Sequence, residues 1–405
     1  MSITTQKWLR VIAINDVYEL TNLPRLRTLF ETCTGEQASS SLQSPPPPPP
    51  PPPPHSTVKK QPDKTIVTLA GDFLSPSLLS SLDRGRGMVD VLNNVPVHYV
   101  CFGNHEADLP LVHVKKRVKE YQGTWLNTNM PTFNDDQDQE INGNDCDNTS
   151  TVPFDLLDLG DGIHVGLVGL LTDQKGVFSS NTFRGIHIDN VLDSINNAMQ
   201  SMKMKLLRSP TGEEENNDKT RKPMELIAVV PLTHQSLKDD ERLLLSDDFI
   251  VNVPLILGGH EHELIIRRYP TDSGSSAHKI SNKVLVKTGS DANQPVIVDL
   301  IFSLPENNID ITTTVIDAAS YQPNENLLNL CVHHEESIAL MKTEVLIDCS
   351  NDSYGVKRGL HNVLSSKNAR YQQTTLGTIF ATACREEMFS DCAMINGGPI
   401  KGEKE

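Results

Sequence analysis

Hydrophobic positions in this 405-residue chain fall into short runs, separated by polar stretches of very unequal length. WLRVIAIN at 8–15, TIVTLA at 65–70, VHYVCF at 97–102, IHVGLVGLL at 163–171, LIAVVPL at 226–232 and VPLIL at 253–257 are near-continuous apolar runs. Such runs predict strands buried on both faces. TWLNTN, 284–287 and 296–302 predict further strands, while 20–31, 108–121, 191–207 and 324–346 carry helical character. Strands alternating with helices predict an α/β fold, and the closer spacing of the last strands predicts that part of the sheet is antiparallel. No internal repeat is visible.

Three stretches break the pattern. Residues 35–63 are Ser-rich and contain ten consecutive prolines, Pro45 to Pro54; 133–152 are acidic and Asn-rich; 209–223 are charged. All three read as disordered insertions, with too little apolar content to bury. The proline run predicts an extended polyproline II segment, either able to dock an SH3-type or WW-type partner or a surface insertion of no specific role.

Charge narrows the classes of function. Asp and Glu number 52 against 36 Lys and Arg, a net charge of −16. This excludes generic binding to nucleic acid or to an anionic membrane surface. It does not exclude phosphate substrates, because bound cations reverse the local field. The seven cysteines are scattered and form no CxxC, so neither a disulfide framework nor a zinc ribbon is expected. The N-terminal residues lack the apolar core of a signal peptide, and no run approaches a membrane span. The expectation is a cytoplasmic protein.

Candidate chemistry lies at the ends of the apolar runs. Asp16 follows the first, Gly71-Asp72 the second, and Gly103-Asn104-His105-Glu106 the third; His234 follows LIAVVPLT, and His260-Glu261-His262 follows VPLILGG. Each cluster therefore falls at the carboxyl end of a strand, where open α/β sheets gather ligands. Carboxylate, amide oxygen and imidazole suit Mn, Zn, Co or Mg ions. Two such ions about 3.5–4 Å apart need a bridging carboxylate, and would generate hydroxide near neutrality as the nucleophile. Asp72, central in the order, is the natural bridge.

The order D…GD…GNHE…H…GHEH resembles that of the calcineurin-like metallophosphoesterases. NHEAD, WLNTN, TLGTIF and MINGGPIKG further resemble motifs of the 5'-nucleotidase branch. The resemblance implies a four-layer α-β-β-α sandwich over 1–320, a linker helix over 321–350 and a partial α+β C-terminal domain over 351–405. It implies that Asp16, Asp72, His262 and the residue at 18 hold one divalent ion, and that Asp72, Asn104, His234 and His260 hold the other. His105 would stabilise charge on the transferred phosphoryl group, oriented by Asp108 three residues on, at the start of a helix. The implied reaction is hydrolysis of a nucleoside monophosphate to nucleoside and phosphate.

Two departures stand out. The family's D-x-H is here Asp16-Val17-Tyr18. Tyr18 could ligate a harder ion as phenolate, as the tyrosine of purple acid phosphatases does; it could leave a weaker but occupied first site, the favoured reading; or it could impair the enzyme. At the other end, Lys401 stands where the family has Arg and Gln373 where it often has Glu, while the base-stacking aromatics would lie beyond Glu405. Arg370, Asn396, Gly397, Gly398 and Lys401 are the remaining substrate-binding candidates. The competing expectations are another metallophosphoesterase activity, on diesters or other phosphomonoesters, and a catalytically weak interaction protein.

Overall fold

The computed structural model describes residues 5–35, 61–134, 151–178, 183, 185–208, 224–249, 251–271, 279–280, 282–304, 308–343, 365, 372–388 and 390–394. They divide into two compact units, Met1–Ile338 and Ala339–Glu405.

The first unit is built on two sheets. One has seven strands: β1 (Thr5–Ile14), β2 (Lys64–Ala70), β3 (Tyr99–Cys101), β4 (Thr124–Leu126), β10 (Lys279–Ile280), β12 (Val296–Leu304) and β13 (Asn308–Val315), in the order β10-β13-β12-β1-β2-β3-β4. The other has six: β5 (Asp155–Asp158), β6 (Ile163–Leu171), β7 (Glu225–His234), β8 (Leu255–Gly258), β9 (Leu264–Pro270) and β11 (Asn282–Thr288), in the order β5-β6-β7-β8-β11-β9. The strands that carry the motifs run parallel: β1 beside β2, β2 beside β3, and β7 beside β8. The antiparallel pairs are β1 with β12, β12 with β13, β9 with β11 and β5 with β6.

Period-two alternation splits each buried strand between two cores. Leu9, Val11 and Ala13 of β1 face the second sheet, where they meet Val165, Leu167, Val230 and Leu232. Ile12 and Ile14 face the other way, onto a helical layer with α1 (Leu23–Thr34), α3 (Arg86–Asn94) and α4 (Leu111–Glu120). On the far side of the second sheet, Val168, Leu170 and Val229 pack on α5 (Val191–Arg208) and α6 (Leu237–Leu244). The layers are thus helix, sheet, sheet, helix.

Several elements differ from the sequence expectation. The short α2 (Leu78–Asp83), α3, α6, β5, β9 and β13 were not foreseen. The 133–152 insertion is too wide at both edges. Phe133 is buried against Phe102 and Phe183, and Val152 bridges Leu126. The 35–63 insertion is likewise too wide, since Gly35 caps α1 and Asp63 accepts a hydrogen bond from the Trp8 N–H. Helix α7 (Glu325–Thr343) runs across the boundary between the units; its Leu327 and Cys331 lie in the first unit's core. In the second unit α8 (Thr375–Glu387) carries TLGTIF, capped by the Thr374 hydroxyl. The polyproline run lies outside the described residues. Among the described residues no helix is long and apolar enough to cross a membrane.

Candidate metal centre

Five strand ends meet at one edge of the two sheets. The loops after β1, β2 and β3 bring Asp16, Asp72 and Asn104; the end of β7 brings His234, and the loop after β8 brings His260 and His262. Asp16, Asp72 and His260 all adopt left-handed backbone, with φ of 53°, 55° and 83°. Gly103 allows the loops to close on one another, since a Cβ there would sit 2.1 Å from Asp72 Oδ1.

Asp16, Asp72 and His234 form the buried floor, each offering a ligand atom within 4.8 Å of the others. His234 Nδ1 donates to the Ala70 carbonyl at 2.8 Å, which turns Nε2 toward the carboxylates. Nε2 lies 3.0 Å from Asp72 Oδ2 and 4.0 Å from Asp16 Oδ1, yet is buried without a directed hydrogen bond. Burial alone would lower its pKa, but Asp72 and Asp16 outweigh that and push it up to about 10. The pocket demands positive charge, and an orphaned imidazole nitrogen beside two carboxylates fits a metal cation. Asp72 is itself buried, which favours its neutral form; His234 and then His105 outweigh this and hold it below the usual carboxylate range.

The mouth is more open. His262 Nε2 is 3.3 Å from Asp16 Oδ1. The bond to Asp16, against the opposing effect of burial, raises the pKa of His262. His260 Nδ1 is 3.0 Å from Asn104 Oδ1, and the His260 backbone N–H donates to Asp16 Oδ2 at 2.9 Å. Burial, then the charge of His234, lowers the pKa of His260. His105 donates its backbone N–H to Asp72 Oδ1 at 2.7 Å, and its Nδ1 lies 2.6 Å from Asp108 Oδ2. Both His105 and Asp108 remain about one third exposed. Burial opposes charge on His105, but Asp108 and Asp72 outweigh it and raise its pKa. Asp108 ends a 3-10 turn, Asn104–Asp108, rather than starting a helix: Pro110 intervenes, and α4 begins only at Leu111. Tyr18 enters the same cluster, its hydroxyl 3.0 Å from His262 Nε2. Burial, then Asp72 and Asp16, pushes this phenol's pKa far above its ordinary value.

Arg370, Asn396, Gly397, Gly398 and Lys401 lie outside the described residues. The paired His333 and His334 divide. His333 is exposed near Glu336, while His334 Nε2 meets Asp90 of α3 at 2.8 Å.

Three supporting residues were not foreseen. Glu106, fully buried, accepts from the N–H groups of Asp72, Phe73, Leu74 and Gly103 at 2.6–3.0 Å, joining the β2 and β3 loops. Asn15 donates to Asp16 Oδ2 at 2.7 Å and to the Gly289 carbonyl at 2.6 Å. Lys287 is fully buried; its Nζ meets Asp240 and Glu261 and donates to the carbonyls of Gln235 and Gly259, the residues beside His234 and His260. The spelling GNHE does contain Glu106, but nothing in its spacing announces four backbone donors from two loops.

The family model described as calcineurin-like phosphoesterase matches residues 9–264. The chain belongs to that family, whose members are phosphoester hydrolases that use divalent metals. No curated protein matches it. Among solved structures, the 5'-nucleotidase precursor from Thermus thermophilus is similar, with a TM-score of 0.64 at 13% identity, over 95% of this chain and 67% of that one. A putative 5'-nucleotidase from Staphylococcus aureus gives 0.59 at 14% identity, over 95% and 66%. The NAD nucleotidase from Haemophilus influenzae gives 0.57 at 12%, over 84% and 62%. The chain spans about two thirds of the length of these proteins. At such identity the likeness is one of fold.

Proposed function

We propose that this chain is a metal-dependent phosphomonoesterase of the 5'-nucleotidase type, releasing phosphate from nucleoside monophosphates. The observation that carries the reading is the position of Asp72. One oxygen faces His234 at 3.0 Å and the Tyr18 hydroxyl at 3.4 Å, the other is held by the His105 N–H, and so one buried carboxylate serves both prospective ligand groups. Asp16, Asp72, His262 and Tyr18 would hold the first ion; Asp72, Asn104, His234 and His260 the second. When bound, two such ions supply Lewis acidity toward phosphoryl oxygens and lower the pKa of water.

The chain's own groups supply the rest. His105 stands at the mouth on a turn pinned to Asp72, and Asp108 fixes its ring, so its free nitrogen is oriented before substrate arrives. A donor set in this way acts on charge that develops in the transition state. The nucleotide preference rests on NHEAD and WLNTN, together with the nucleotidases among the structural neighbours.

The test is phosphate release from AMP compared with hydrolysis of bis-p-nitrophenyl phosphate, under added Mn, Zn or Co. AMP is expected to be the better substrate. His105→Ala should lower kcat by roughly 10²–10³ with metal content unchanged. Hydrolysis of the diester alone would sink the nucleotidase reading; no turnover with any ion would sink the enzyme.

A further inference from the structure

Lys287, near the carboxyl end of β11, is a fully buried cation whose four partners flank the prospective ligands without belonging to them. Its Nζ donates to the Gln235 carbonyl at 2.8 Å and to the Gly259 carbonyl at 2.6 Å. Gln235 directly follows His234, and Gly259 directly precedes His260. The same Nζ pairs with Asp240 Oδ2 of α6 at 2.7 Å and with Glu261 Oε2 at 2.5 Å. One ammonium thus ties the end of β7, the loop after β8 and α6 to a single point.

The two carboxylates strengthen that tie. In GHEH the histidines meet Asn104 and Asp16, whereas Glu261 between them reaches Lys287 and, through Oε1, accepts from the Leu237 N–H of α6 at 2.5 Å. Asp240 Oδ1 accepts from the Thr233 hydroxyl at 2.6 Å and from the Gln235 side-chain amide at 3.0 Å. The residues on either side of His234 are therefore both bound to Asp240. A buried ion pair is no general source of stability, and an apolar side chain of similar volume often fills such a space as well. An apolar side chain could not hold carbonyls on two separate loops.

We propose, resting on the two-metal reading above, that Lys287 is a positioning residue of the second metal site, fixing the separation of His234 and His260 before an ion binds. These two histidines come from different strands, and nothing in two neutral imidazoles draws them together. Without a tether, ordering the two loops would be charged against metal affinity; with one, that cost is met on folding. Bonds from an ammonium to carbonyl and carboxylate oxygens are charge-assisted, so they hold the loops more tightly than a neutral donor would.

The test is a double-mutant cycle on the full, chelator-treated chain, titrated with Mn²⁺ by calorimetry. Lys287→Met alone strands the buried Asp240 carboxylate without its counter-charge. The variant used is therefore Lys287→Met/Asp240→Asn, with Asp240→Asn as its control and circular dichroism to confirm folding. The wild type should bind two ions. His260→Ala should weaken one of the two steps, which assigns that step to the second site. Lys287→Met/Asp240→Asn should weaken the same step by roughly tenfold or more. The other step, and both steps in Asp240→Asn, should stay within about twofold of the wild type. Introduced into His260→Ala, the Lys287 and Asp240 changes should cost no more than about twofold, because the separation they set no longer matters. An unchanged isotherm, equal weakening of both steps, equal losses with and without His260, or the full loss in Asp240→Asn alone would each overturn the proposal. AMP hydrolysis by the wild type reads the proposed function separately. Two bound ions without turnover remove that function and leave the positioning role to the cycle. Turnover alongside an unchanged isotherm in the variant removes only the positioning role. A wild type that takes fewer than two ions removes both.

Discussion

Asp16, Asp72 and His260 hold left-handed backbone conformations that cost L-residues roughly 1–2 kcal/mol each. Such strain persists only where neighbours over-determine it, and Glu106 is one such neighbour. Its carboxylate is forced toward the neutral form by burial and by the charge of Asp72, while the surrounding backbone N–H groups favour its charge. Glu106→Gln would turn an amide NH₂ toward those donors. It should cost about 1–3 kcal/mol in urea denaturation and weaken metal binding; unchanged stability together with unchanged metal affinity would make Glu106 a bystander. The residue types at this centre were legible, because ligand chemistry is a property of single side chains. Which neighbours pin them was not, because a carboxylate that accepts from distant backbone leaves no spacing signature.

Among the elements, the long apolar strands were legible and the short or half-exposed ones were not. β6 matches its sequence run over Ile163–Leu171, because burial on both faces leaves a continuous apolar signal. β9, at the sheet edge, reads LIIRRYP and is half-exposed, so its pairing partner rather than its composition makes it a strand. His98 shows how one side chain extends a pairing. Its backbone N–H donates to the Val67 carbonyl, and its Nδ1 accepts from the Val67 N–H, both at 2.9 Å. An imidazolium cannot accept there. Burial, then Lys64, holds the folded pKa below the ordinary 6.5. Stability from neutral His98 is therefore complete above 6.5 and is lost as pH falls from there through the folded value. The slope from this one group is at most about 1.4 kcal/mol per pH unit. Between about pH 7.5 and about pH 5, denaturant stability of the wild type should fall by more than that of His98→Asn. Equal losses would show that the Val67 bond does not sense His98 protonation.

At the scale of the molecule, the centre joins two sheets. Asp16, Asp72 and Asn104 come from the seven-stranded sheet, His234 and His260 from the six-stranded one. An ion held between them binds the folded state alone. At a free concentration a hundred times Kd it should add about 2.7 kcal/mol of stability. Thermal unfolding of the chelator-treated protein should shift upward on adding Mn, Zn or Co, and the shift should disappear in Asp72→Asn. The absence of any shift would mean that the pocket takes no ion.

What the sequence by itself determined is local: strand runs, the glycines that let loops turn, and the order in which Asp, Asn and His appear at strand ends. Those features depend on neighbours a few residues away, so they survive being read along a line. Only the tertiary structure decided that the runs split into two stacked sheets, that the orphaned His234 nitrogen comes to rest beside Asp72, and that the Tyr18 oxygen stands among Asp16, Asp72 and His262. Strand order and sheet stacking are set by burial across the whole chain. The mismatch at Tyr18, read along the sequence, weakens the first site; in three dimensions it places a hydroxyl within hydrogen-bond reach of Asp16, Asp72 and His262.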